Sequence, residues 1–121
     1  MTSFRLFAFG AAAAAFAAPT SAHHGWSAYL DSEFALTGTV ESARLGGPHG
    51  VLRVRSGRVV WEVVLGPPTR IQRAGLTSAA VPRGTQVGAE GHRHRDPEVI
   101  EMKTERLVVG NRTFDMYPER S

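Results

Sequence analysis

The chain has 121 residues, 14 basic and 11 acidic side chains, a formal net charge of +3 and no cysteine. Zero cysteine excludes disulfides, iron–sulfur clusters, c-type haem, thiol chemistry and a lipid carried on Cys. Thirteen of the fourteen basic residues are Arg, Lys103 being the exception; they are interspersed with acids and apolar residues, which is ordinary surface chemistry and argues against a nucleic-acid partner.

The chain opens as a secretory signal peptide reads. "MTSFR" is a short n-region with one positive charge, "LFAFGAAAAAFAA" an apolar run, and "PTSA" a polar end with small residues at Thr20 and Ala22. The apolar run is shorter than the roughly 20 residues a membrane span needs. Cleavage after Ala22 predicts a signal segment 1–22. It leaves 99 of the 121 residues, with a charge of +2, as one periplasmic or secreted domain without a transmembrane segment. Residues 23–33 read as an extended arm, 34–117 as the domain and 118–121 as a frayed tail.

Within the domain, "FALTGTVESARL" alternates as a half-buried strand, with Leu36, Gly38 and Val40 on one side. Gly38 inside it predicts a bulge or sharp coil. "GGPHG" is a loop. "VLRVRS" and "VVWEVVL" alternate again and read as a hairpin turning at Ser56-Gly57, with Val59, Trp61, Val63 and Leu65 inward. Thr69 is placed to cap a short helix ended by Gly75, and Thr77 or Ser78 to start a second turn stopped by Pro82. "TQVGAEG" is a strand, "HRHRDPE" a polar loop, and "VIEMKTERLVV" a strand pairing with "RTFDMY" across a "GN" turn. This order predicts a small, mainly all-β, OB-like Greek-key barrel of five to six strands with one short helix after the third strand. A β-sandwich is the alternative.

The order of short motifs also carries a resemblance. His23-His24 follow the signal peptide, Trp26 follows them, and then come "LTGTV", a Pro-His loop, "VVWEVVLG", "AGL", "PRGTQVGAEG" and "VVGNRTF". The chain resembles a family of small secreted bacterial proteins of uncharacterised function that form OB-like barrels. That resemblance implies the fold and export and brings no activity. The usual loop reads Asn-Pro-His; here Gly47 stands in place of the Asn.

The five histidines are the candidate chemistry. After cleavage, His23 offers a terminal amine and an imidazole, and His24 an imidazole beside a deprotonatable amide. Cu(II) favours such nitrogen-rich, tetragonal sets, and His49 supplies a third imidazole if its loop lies near the arm. His92 and His94 are a second candidate pair, because residues two apart in a strand face the same way; Arg93 and Arg95 oppose a cation there and suit an acidic partner instead. His92 and His94 both fall in the predicted loop, so neither reads as a core histidine. Trp26 and Tyr29, beside His23 and His24, are either a binding platform or pins for the arm, and pinning is the reading favoured. Trp61 is core. No elbow, phosphate loop or metalloprotease motif occurs.

Three functions remain open. The first is an exported non-enzymatic protein binding copper, or a similar transition metal, through His23, His24 and His49. The second is an OB-type periplasmic module for a glycan, peptide or envelope protein, with no metal. The third is a copper-dependent redox enzyme, for which no acid, base or substrate groove can be read.

Overall fold

A computed structural model describes residues 25–120. His23, His24 and the predicted signal segment lie outside them. The elements are β1 (Phe34–Arg44), β2 (Gly50–Ser56), β3 (Val59–Gly66), α1 (Pro68–Ala74), β4 (Gln86–Arg93), β5 (Glu101–Val109) and β6 (Arg112–Asp115), with one-turn 3-10 segments at Ser78–Ala80 and Pro118–Arg120.

The sheet order is β3-β2-β1-β4-β5-β6, and β3 also pairs in parallel with β5 through Glu62↔Glu101, Val63↔Met102 and Val64↔Lys103. That seam closes β1–β5 into a five-stranded barrel, with β6 added outside as the second arm of a hairpin. The helix follows the third strand. This is the OB-type barrel the strand order predicts, and closure removes the free edges a β-sandwich would have kept.

Alternation fills the barrel. Val40, Leu52, Val54, Val63, Leu65, Met102 and Leu107 point inward and are almost wholly excluded from solvent, each worth about 1.5–3 kcal/mol of apolar burial. Ile71 of α1 joins the same core. Gly38 sits where β1 coils under β2: a Cβ there would lie 2.3 Å from the Arg55 carbonyl oxygen. The register break itself falls two residues later, between Val40 and Ser42.

Several local expectations shift. The β2–β3 turn is Gly57-Arg58, since Ser56 pairs with Val59 and Gly57 takes φ +64°. Val59 is consequently at the hairpin tip, 43% exposed, rather than in the core. Thr69 does not cap α1. Pro68 occupies the first turn, where its missing N–H costs nothing, while Gly75 ends the helix in the left-handed region.

The largest departure concerns β4 and β5. β4 runs on to Arg93, so His92 is in a strand and only 4% exposed, not in a loop. On β5, Met102, Lys103, Thr104 and Glu105 are all buried, so simple alternation fails. Two features cause this. Glu90 pairs with Arg106 but the next residue, Gly91, pairs with Thr104; Glu105 is therefore the extra residue of a β-bulge. Its freed carbonyl accepts the N–H groups of Met116 (2.9 Å) and Tyr117 (3.3 Å). The second cause is the segment before β1, which covers the outer face of β4 and β5.

Candidate ligand-binding site

Cross-strand pairing lines up an outward-facing row: Val51 beside Val64, Val64 beside Lys103, Lys103 beside His92. The segment from Gly25 to Glu33 crosses one half of that row. It is a turn followed by a single bridge rather than an extended arm. The Tyr29 N–H bonds the Trp26 carbonyl (3.0 Å), Tyr29 bridges to His94, the Leu30 N–H donates to the Arg93 carbonyl (2.9 Å), and the Arg95 N–H to that of Ala28 (2.9 Å).

Trp26 is the centre of this cover. Its ring stands edge-on to His92 (5.6 Å) and Tyr117 (5.0 Å), with the Arg120 guanidinium 3.8 Å from its centroid and the Lys103 ammonium at 5.3 Å. Trp26 therefore pins the segment to the barrel, as such aromatics do. Arg120 belongs to the tail, which is a packed 3-10 turn rather than a frayed end.

Under Trp26 lies a compensated cluster. The His92 Nδ1 meets the carbonyl oxygens of Leu30 (2.8 Å) and Ser32 (3.0 Å). Carbonyls only accept, so Nδ1 carries the proton. Nε2 faces a Glu105 carboxylate oxygen at 2.7 Å and a Glu33 oxygen at 3.4 Å. Among the described residues, Glu33, His92 and Glu105 form the group that brings three ligand-type atoms together. But Glu105 is also held by Arg120 (3.4 Å) and Arg106 (3.6 Å). Its charge is already balanced by two guanidinium groups, and the arrangement works as a clasp between segment, barrel and tail.

His94 does not join His92. Its ring stacks edge-on against Tyr29 (5.5 Å), and its Nδ1 accepts the Asp96 N–H (3.1 Å). Arg93 lies 4.7 Å from the Trp61 centroid and donates to the Pro97 carbonyl (3.1 Å), while Arg95 donates to the Ser27 carbonyl (3.0 Å). Both arginines brace the β4–β5 loop and the covering segment.

The other half of the row is open. A cleft of ≈ 440 Å³ is lined by Gly25, Tyr29, His49, Val64, Glu101 and Lys103, among others. The Tyr29 hydroxyl donates to the Glu101 carboxylate. Burial first, and that bond second, push the Tyr29 pKa up, keeping the phenol neutral. His49 rises from the β1–β2 loop. Partial burial and the Lys103 charge lower its pKa, so the imidazole is neutral near pH 7. Lys103 is 4% exposed. Burial, then Arg70, lowers its pKa. It contacts the faces of Trp26 and Tyr117 but forms no hydrogen bond or ion pair among the described residues.

Sequence reasoning placed Tyr29 and His49 among the candidates and missed Lys103, Glu101, Glu33 and Glu105. One signal was present: Lys103 is the chain's sole Lys.

Residues 11–103 match the family described as "Family of unknown function (DUF6152)". No curated protein matches the sequence. Among solved structures, the fold is similar to a chain of the Stn1-ten1 complex of S. pombe, with a TM-score of 0.54, 14% identity, and 66% of this chain covered against 59% of that one. It is also similar to the asparaginyl-tRNA synthetase of Pyrococcus horikoshii complexed with asparaginyl-adenylate, with a TM-score of 0.50, 19% identity and coverage of 74% and 22%. The chain spans less than two thirds of either, and at these identities the likeness concerns the fold. Among the described residues no helix is long and apolar enough to cross a membrane.

Proposed function

The chain belongs to that family of unknown function, and we propose that it is an exported, non-enzymatic binding module whose ligand occupies the cleft on the outer face of β2 and β3. One observation carries this reading. OB barrels bind extended ligands on the face of their second and third strands, between the loops after the first and fourth. Here Val51 and Val64 supply that face, Pro48 and His49 the loop after β1, and Glu101 the point where the β4–β5 loop returns. The covering segment lies over β4 and β5 and leaves this portion open. The partner is an envelope component, and export rests on the signal-peptide pattern of residues 1–22.

The test is a map of contacts. The exported protein, with its N-terminal mass confirmed, is titrated with periplasmic extract fractions and followed by amide NMR. Saturable shifts confined to Val51, Val64, His49 and their neighbours support the reading. Shifts on the opposite side of the barrel overturn it.

A second reading has its own observation: Gly25, the residue after His24, lines the same cleft as His49. Cleavage after Ala22 then offers the His23 amine and the His23 and His24 imidazoles for a Cu(II) site completed by the neutral His49. Lys103 opposes a cation there, which is why this reading stands second. Competition with a chelator tests it. One tightly bound Cu(II), lost on blocking the amine or on His23→Ala with His24→Ala, supports copper. Micromolar binding unchanged by those substitutions retires it. A copper-dependent redox reaction requires turnover with a reductant beyond that of free Cu(II).

A further inference from the structure

We propose that Lys103 is the anchor for a carboxylate of a peptide ligand; the inference rests on the β2–β3 face being the binding surface, and not on copper. A buried ammonium is normally paired, because removing a charge from water without compensation is costly. Lys103 is buried on β5, with aromatic faces around it and no acceptor among the described residues. The next three residues also hold buried polar atoms without a hydrogen bond, Thr104 Oγ1, Glu105 Oε1 and Arg106 Nη1, but of these four residues Lys103 alone lines the open cleft. The carboxylate beside it among the cleft's lining, Glu101, acts on Lys103 through its charge but makes no hydrogen bond or ion pair with it, and one of its oxygens accepts the Tyr29 hydroxyl. Arg44 adds a second cation to the same wall. The site is thus a net positive pocket in which a largely buried lysine faces the open cleft with no hydrogen-bond partner among the described residues.

The rest of the lining selects the ligand's body. Sugars stack on exposed aromatic faces, but Trp26 has Arg120 against one face and is edge-packed by His92 and Tyr117. Tyr29, which does line the cleft, is packed edge-on against Trp26 and His94 with its hydroxyl on Glu101, and the aliphatic groups beside Lys103 are Pro48, Val51 and Val64. An apolar side chain next to a carboxylate fits this pairing, as at a peptide C-terminus. The ammonium donates to the carboxylate, and the aliphatic wall covers the neighbouring side chain.

N-acetyl-leucine and its uncharged amide are suitable probes, titrated into the exported full-length protein and followed by NMR at Val51, Val64 and His49. The acid is expected to bind about tenfold tighter than the amide or better, the range of one charge-assisted hydrogen bond. The Lys103 ammonium, followed through its side-chain resonances, titrates at higher pH in the complex, because a paired carboxylate favours the charged form. Lys103→Met should erase the preference for acid over amide, and Lys103→Arg should keep most of it. Equal binding of acid and amide to the native protein, or a preference unchanged in Lys103→Met, overturns the inference while shifts at Val51 and Val64 leave the binding face intact. No shift at those residues with either probe overturns the inference and the face together. D-glucuronate binding as tightly as N-acetyl-leucine overturns the choice of a peptide.

Discussion

Lys103 and Glu105 lie two residues apart on one strand, beneath the same tryptophan, and their surroundings are opposite. Glu105 is enclosed by His92, Arg120 and Arg106. Lys103 lies against ring faces at an open cleft and makes no hydrogen bond or ion pair among the described residues. One buried charge is compensated from within and holds the molecule together. The other is left for something from outside. Burial of a charge does not by itself indicate a function; the partner it lacks does.

The contrast makes signed predictions. The largest effect is expected from Glu105→Ala, which takes the buried carboxylate from His92 and Arg120; Arg106 keeps Glu90 (3.0 Å) and His92 only the more distant, exposed Glu33 (3.4 Å). Removing one member of a buried pair costs about 3–5 kcal/mol, which for a domain of this size lowers the Tm by roughly 15 °C or more. A loss under 1 kcal/mol in chemical denaturation would show that the clasp is not structural.

Next comes Gly91→Ala. A Cβ at Gly91 would sit 2.0 Å from the Lys103 carbonyl oxygen, and overpacking of this kind costs about 1–3 kcal/mol. It pushes β5 from β4 at the bulge that aims Glu105, so the His92 ring resonances should shift along with the fall in stability.

Lys103→Met is expected to move the other way, stabilising the free protein by about 1 kcal/mol as an unpaired ammonium gives way to an apolar chain of similar length. Gain of stability with loss of ligand is the trade-off of a binding residue. Destabilisation would place Lys103 with Glu105 among the structural charges.

The smallest change is Tyr29→Phe, which removes one hydrogen bond to Glu101 at a cost of about 0.5–1.5 kcal/mol. Its sign with pH is fixed. The folded-state pKa of Tyr29 is raised, so its contribution is full below the unfolded tyrosine pKa of about 10 and is lost as pH rises above it. Denaturation across that interval should fall more steeply for the native protein than for the Phe variant. Tyr117 is also raised, chiefly by burial, and is shared by both proteins.

The barrel was legible because its strands alternate and its turns carry Gly: "VLRVRS" and "VVWEVVL" state their faces outright, and Gly75 states where the helix stops. The site was less so. His49 stood out by residue type and loop position, and Tyr29 as an aromatic of the arm. His92 was misplaced because "HRHRD" is polar throughout, and nothing local shows that Trp26, some 66 positions earlier in the chain, will cover it. Glu105 was hidden by a bulge, which breaks the two-residue period that strand reading relies on. Lys103 and Glu101 acquire their meaning only from the β3–β5 seam, a pairing between segments far apart in sequence.

The most direct test of the account is an amide and side-chain NMR map of the exported protein on saturation with N-acetyl-leucine. The prediction is a contiguous set of shifts at Val51, Val64, His49 and Lys103, with His92 and Glu105 unmoved. Shifts centred on His92, Glu33 and Glu105 would contradict it, because the compensated cluster would then be the site that accepts a ligand.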